Sequence, residues 1–308
     1  MLHIPPHSLV VLKARRAFYK AMIDFVFERI DNIPKLKNIN TRIAVSMFDS
    51  FINDNIDGIL IGDPKELIVY NSNIDPLIKS VPDFSVAVEY VFNYEVFREK
   101  KKIKYCAYNL ASDLGIDTCV YCNRNYTSTV VSKNGRKITR PQFDHFFDKA
   151  DNPLLALSFY NLIPSCYVCN SNIKGTNKMN LSKHLHPYID DGLSDIAFSY
   201  DYSRSTPSGL EIKIITPKLS KASNTISIFA VEEIYNAHTS ELRDLIRLRT
   251  FFSERYFDVL SAGLLKGVIV SKPDLYRVVF GTEYTTSNFV KRPFSKFKSD
   301  ILKELGVI

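Results

Sequence analysis

Two close cysteine pairs, Cys119-x-x-Cys122 and Cys166-x-x-Cys169, constrain this 308-residue chain more than any other feature. A Cys-x-x-Cys turn can hold two thiolates about 2.3 Å from one ion, and two such turns make a tetrahedral, all-thiolate zinc site. The pairs are separated by 43 residues, so closing the site pins both ends of a long interval and leaves room for a working element inside it. Four thiolates leave no open position for water, so the expected Zn²⁺ is structural. A small motif with little apolar core gains much of its folding free energy this way. Neither pair has the strand-then-helix context of a dithiol redox centre. Cys106 stands outside both pairs and is expected to be a buried, inert thiol.

Five cysteines in a chain this long do not read as a disulfide framework; in a reducing compartment Cys-x-x-Cys pairs serve metal or redox chemistry. No run approaches the ~20 apolar residues a membrane helix needs. The N-terminal Met-Leu-His-Ile-Pro-Pro-His lacks the parts of a signal peptide. A cytoplasmic protein is therefore expected. The net charge of +7 is unevenly placed. Residues 98–186 hold 14 lysines and arginines against 6 acidic residues, a net of +8, whereas the rest holds 26 against 27. Positive charge focused on the cysteine-bracketed interval suits a polyanion such as nucleic acid, although a solvated lysine-rich surface has the same composition.

The fold class read from the pattern is α+β, predominantly helical. Residues 1–104 read as a helical N-terminal region, with a helix over 8–30 capped by Ser8 and further helices near 41–54 and 83–100. On the first helix Leu9, Leu12, Phe18, Met22, Phe25 and Ile30 are assigned to one apolar face. Asp63-Pro64 and Asp75-Pro76 read as punctuation. Residues 105–190 carry the motifs. Within them 130–138 reads as a hairpin on Asn134-Gly135, whose type I′ turn needs positive φ at both central residues. Residues 191–308 read as an α+β region, with strands at 196–202 and 210–215, one or two helices over 229–263 and a closing helix over 297–305.

The interval between the knuckles holds Phe143-Asp144-His145-Phe146 and Tyr160-Asn161-Leu-Ile-Pro-Ser165; Asn170 follows Cys169 directly. Phosphodiester hydrolysis needs an activated water, neutralised phosphate charge and a stabilised leaving oxygen. A neutral imidazole is a natural general base near pH 7. A hard cation prefers oxygen donors such as an aspartate carboxylate and an asparagine carbonyl.

These residues, in this order, resemble the HNH endonuclease motif (the ββα-metal fold) in its zinc-bound, four-cysteine form, over roughly residues 115–190. The resemblance implies a strand ending at Asp144-His145, a second strand near 161–165 and a helix starting near Cys169. It also implies an endonuclease that cuts DNA to leave 5′-phosphate ends. By the same resemblance His145 is the general base and Asp144 a ligand of a catalytic Mg²⁺ or Mn²⁺. Asn161 fixes the loop that orients the base. Asn170 is the second metal ligand, standing where a histidine is usual, and its harder oxygen favours Mg²⁺ or Mn²⁺ over softer ions. Lys174 is a candidate phosphate contact. His186, in His184-Leu-His186-Pro-Tyr188, is a further candidate for the site and His184 a weaker one.

The wider pattern is also similar to HNH proteins of bacterial anti-phage systems of the Septu and retron types, which implies a defence effector working beside an ATPase partner. RNA stays open as a target alongside DNA. Two readings compete. One is a zinc-stabilised nucleic-acid-binding or assembly module without catalysis, which needs neither Asp144 nor His145. The other is a redox switch on the same thiols. Residues 98–104 together with Lys133, Arg136, Lys137 and Arg140 are the expected backbone-phosphate contacts, which carry no base sequence.

Overall fold

A computed structural model describes residues 1–35, 42–81, 83–99, 104–251 and 271–307. Helix α1 (Leu9–Asn32) starts at Ser8, whose Oγ accepts from the Val11 N–H. Its buried stripe is Val11, Ala14, Phe18, Met22, Phe25, Val26 and Ile30. Leu9 is 75% exposed, contrary to the assignment made from periodicity. It sits two residues before Val11, about 200° around a helix of 3.6 residues per turn, and so points away from the stripe. Phe18 is the centre of the contact with the motif region: its ring meets Phe97 and Phe159 edge-on at 5.8 and 5.6 Å.

Helix α2 spans Arg42–Ile61 and α3 spans Pro64–Ser80. Asp63-Pro64 stands between the two helices, as the punctuation expected there, and opens α3. Asp63 Oδ1 accepts from the Lys65 and Glu66 N–H groups while Glu66 Oε2 accepts from the Asp63 N–H, a full capping box, and Pro64 occupies the first turn. Pro76 lies inside α3, near its end. The helix expected over 83–100 is split into α4 (Phe84–Val91) and α5 (Tyr94–Arg98), because Asn93 breaks the chain and recaps it through Oδ1. Helix α6 (Ala107–Leu114) leads into the first knuckle.

Three two-stranded antiparallel sheets follow: β1 (Val130–Val131) with β2 (Lys137–Thr139), β3 (Gln142–His145) with β4 (Leu162–Ser165), and β5 (Ala197–Tyr202) with β6 (Leu210–Ile215). Helices make up about 54% of the structure, so the class is mixed and mostly helical. The β1–β2 turn differs from the expected type. Only Gly135 has positive φ (79°), and Asn134 does not. Gly135 N–H donates to Ser132 O and Ser132 N–H to Arg136 O, which is a three-residue loop ending on a left-handed glycine. In the last third α7 (Lys221–Ile228) precedes the stretch read as one or two helices over 229–263, whose described part is two helices, α8 (Val231–Asn236) and α9 (Thr239–Phe251). Ala230, at φ 45°, turns the chain between the first two. Leu242 and Leu245, on α9, are buried; the rest of that stretch, 252–263, lies outside the described residues. The closing helix is Ser295–Glu304. Among the described residues no helix is long and apolar enough to cross a membrane.

Buried residues from all three regions form one continuous core. The first knuckle is where they meet. Leu2 N–H donates to Val120 O, Val120 N–H to Pro164 O in β4, and Tyr235 OH to Cys122 O. Asn123, left-handed at φ 49°, donates through Nδ2 to Thr118 Oγ1 and to the Phe289 and Arg292 carbonyls; its Oδ1 accepts from Lys296 N–H. Asn123→Ala strands those carbonyls and adds strain at a position asparagine tolerates better. Urea denaturation is expected to show a loss of about 2–4 kcal/mol, summing lost hydrogen bonds at roughly 1 kcal/mol each; a loss under about 0.5 kcal/mol, the scatter of surface changes, would remove this residue from the junction.

Candidate metal centre and cleft

The ligand atoms of Cys119, Cys122, Cys166 and Cys169 lie within 4.8 Å of one another, and all four residues are buried. Donor type, number and enclosure fit a structural zinc ion. The surroundings fit as well. Cys122 Sγ accepts from Arg124 N–H, and Cys166 Sγ accepts from Cys169 N–H and Asn125 Nδ2, each at 3.4 Å. Donors aimed at sulfur stabilise the thiolate form and orient the ligand.

Strands β3 and β4 stand beside this cluster, with Asp144 opposite Ile163 and His145 opposite Leu162. After Cys166 the chain winds into a π-helix, Val168–Lys174, closed by a Gly175 N–H to Asn170 O bond. Such wide turns recur at functional sites. Asp144, His145, Asn170 and Lys174 all line one cleft of about 840 Å³. Neighbours in an extended strand point to opposite faces, yet Asp144 and His145, the last two residues of β3, both line this cleft.

Asp144 is held at both oxygens. Tyr121 OH donates to Oδ2 at 2.6 Å and Lys174 Nζ to Oδ1 at 2.7 Å; the same Nζ donates to His145 O at 2.7 Å. All three side chains are buried. Burial raises the Asp144 carboxyl above its usual range, opposed by Lys174 and Tyr121. A carboxylate has about four lone-pair sites, so two hydrogen bonds leave it able to bind a cation. Asn170 Nδ2 donates to Gln142 Oε1 at 2.8 Å, tying the π-helix to the start of β3.

His145 Nε2 lies 3.0 Å from the Ala156 carbonyl, which can only accept, so Nε2 carries the proton and Nδ1 the lone pair. Tyr94 packs edge-on against the imidazole at 4.6 Å. Burial pushes His145 down to about 4, partly offset by the Ala156 carbonyl, so the ring is neutral at pH 7. Asn161 clamps the intervening loop: its Oδ1 accepts from Phe147 N–H at 2.7 Å, and its Nδ2 donates to the Phe147 and Leu155 carbonyls.

His186 is not among the residues lining the cleft. It is buried against Phe146 at 4.4 Å, and its Nδ1 accepts from Tyr188 N–H. His184 accepts at Nδ1 from Asn180 N–H in the adjoining turn. The apolar company of Phe146, Phe147 and Tyr188 explains why a His-x-His spacing does not deliver both rings to one site. Tyr94 and Tyr121 were not singled out from sequence. Tyr121 had a usable signal, its place inside the first knuckle; Tyr94 had none, since it reaches His145 from α5. The cleft is also less basic than its interval. Arg98, Arg140, Lys149 and Lys174 face Glu95, Glu99, Asp144 and Asp148, and Glu95 pairs with both Arg98 and Lys149.

Two outcomes follow for stability. Metal analysis is expected to find one zinc per chain, and chelation or Cys166→Ser to lower the melting temperature sharply; an unchanged melting curve would leave the thiols without a metal role. Burial also pushes His186 down to about 3, below its unfolded value of about 6.5. The folded state therefore binds fewer protons. Its contribution is full above pH ~6.5 and is lost as pH falls toward 3, on the order of 4 kcal/mol in all. Denaturation between pH 7 and 4 is expected to show a shallower acid slope in His186→Asn than in the wild type, with equal slopes as the contrary result.

No protein-family model matches this chain, and no curated protein and no solved structure matches it either.

Proposed function

We propose that this chain is a metal-dependent endonuclease of the HNH kind that hydrolyses DNA. One observation carries the reading: a neutral, oriented imidazole on His145 and the oxygen donors of Asp144 and Asn170 line one cleft beside a buried four-thiol cluster. In this mechanism the His145 Nδ1 takes a proton from the attacking water. Its Nε2–H stays on Ala156 O, so the ring cannot turn its protonated side to the substrate. Asn161 holds the loop that supplies that carbonyl. Asp144 and Asn170 would hold Mg²⁺ or Mn²⁺, which when bound supplies charge neutralisation at the phosphate and the leaving oxygen. Lys174 holds the Asp144 carboxylate in place and adds a positive charge next to it. The thiol cluster would carry zinc and hold β3, β4 and the π-helix in register. The likeness to anti-phage HNH proteins extends the proposal to a defence effector acting beside an ATPase.

The test is cleavage of supercoiled plasmid by zinc-loaded protein with Mg²⁺, Mn²⁺ or EDTA. Cation-dependent cleavage is expected, and His145→Ala should lower its rate about 10²–10⁴-fold, the usual contribution of a general base. If the wild type binds DNA and leaves it uncut both alone and with a co-encoded ATPase, the non-catalytic zinc module is the better reading.

A further inference from the structure

The β1–β2 hairpin is the part of the motif region that the proposed chemistry does not use. Val130, Val131 and Ile138 are exposed on it. From Thr118 to Phe143 the chain carries five basic residues and no acidic one. Its base is anchored. Lys137 Nζ lies 2.8 Å from Cys106 Sγ and over the Tyr108 ring, so Lys137 braces the hairpin against α6 and is not turned to solvent as the sequence suggested. Arg140, at the foot, lies over Tyr108 and Phe143. Lys133 and Arg136, at the tip, are exposed, and neither side chain forms an ion pair among the described residues. A bulge links tip to cleft: Val130 pairs with Thr139 but Val131 with Lys137, so Ile138 is the extra residue, and it lines the cleft with Thr139 and Arg140.

We infer that this hairpin is a groove-entering arm that seats B-form duplex DNA on the cleft, an assignment that rests on the nucleic-acid reading above. Size decides the groove. Five residues from Val130 to the tip reach about 16 Å at 3.3 Å per residue. The B-form major groove is about 12 Å wide and 8.5 Å deep and admits a two-stranded ribbon. The major groove of A-form RNA is too deep and narrow for it. With the hairpin in the groove, the phosphate strand bordering that groove lies along its foot, where Ile138 and Arg140 meet the cleft. Lys133 and Arg136 then lie against phosphates or guanine edges, and the exposed valines face the groove floor. The arm supplies the positive charge that the balanced cleft lacks.

The experiment is binding of a 20-base-pair DNA duplex, and of the RNA duplex of the same sequence, by zinc-loaded full-length protein without added divalent cation over a range of salt. At least tenfold preference for DNA is expected. Lys133→Ser/Arg136→Ser should weaken DNA binding at least tenfold and make log K against log salt shallower by about 2, at about 0.9 per lost phosphate contact. Lys65→Ser/Lys79→Ser on α3 should change neither. Equal affinity for the two duplexes, an unaltered slope in the hairpin variant, or no duplex binding by the wild type overturns the inference. Plasmid cleavage separates the two claims. Cleavage with an indifferent hairpin removes the arm and keeps the hydrolase. Hairpin-dependent binding with no cleavage in any metal does the reverse.

Discussion

The approach of four cysteine sulfurs to within 4.8 Å of one another is the constraint on which the rest of this structure depends. Each pair sits where several segments converge. The first knuckle receives the chain's second residue at Val120, strand β4 through the same residue, α8 through Tyr235, and the stretch before the closing helix through Asn123. The second knuckle begins the π-helix. Four thiolates in one poorly solvated pocket would repel one another. A bound dication would reverse that balance and make the junction a fixed point. Helices, hairpins and closing segments are then arranged around it.

From this fixed point the cleft follows by short polar links. Tyr121, inside the first knuckle, reaches Asp144; Lys174, at the end of the π-helix, reaches Asp144 and the His145 carbonyl. The aspartate is thus held from both knuckles at once. His145 is oriented differently, by the Ala156 carbonyl on a loop that Asn161 clamps and by the Tyr94 ring. A buried polar network of this kind is costly if half satisfied and rigid if complete. Here the polar atoms of Asp144 and Asn161 have partners, so the cleft walls are held by bonds internal to the fold.

Much of this was legible in local pattern. The Ser8 cap and the closing helix are where spacing and residue type put them, and the strand ending at His145, the strand at 162–165 and the turn of helix after Cys169 are where the resemblance put them. The misreadings share one cause, that a residue's local preference does not reveal what packs on it. Asp75-Pro76 does not interrupt the chain, because Pro76 is accommodated inside α3 near its end. Asn134-Gly135 turns with one left-handed residue instead of two. Lys137 faces a thiol, and His186 faces phenyl rings.

From the sequence alone come four thiols spaced as a zinc site needs, a mixed and mostly helical class, and an aspartate, a histidine and two asparagines inside or beside the bracketed interval. Those properties are local or combinatorial: side-chain chemistry, turn geometry and periodicity suffice for them. The tertiary structure decided which of these residues share a cleft, which nitrogen of His145 carries the proton, that Tyr94 and Tyr121 belong to the same site, and that the cleft's charge is balanced while the hairpin's is not. Those facts depend on contacts between residues 11 to more than 50 positions apart, from His145 with Ala156 to Glu95 with Lys149. No local pattern carries them, because the free energy that selects among such contacts comes from the burial of the whole core at once.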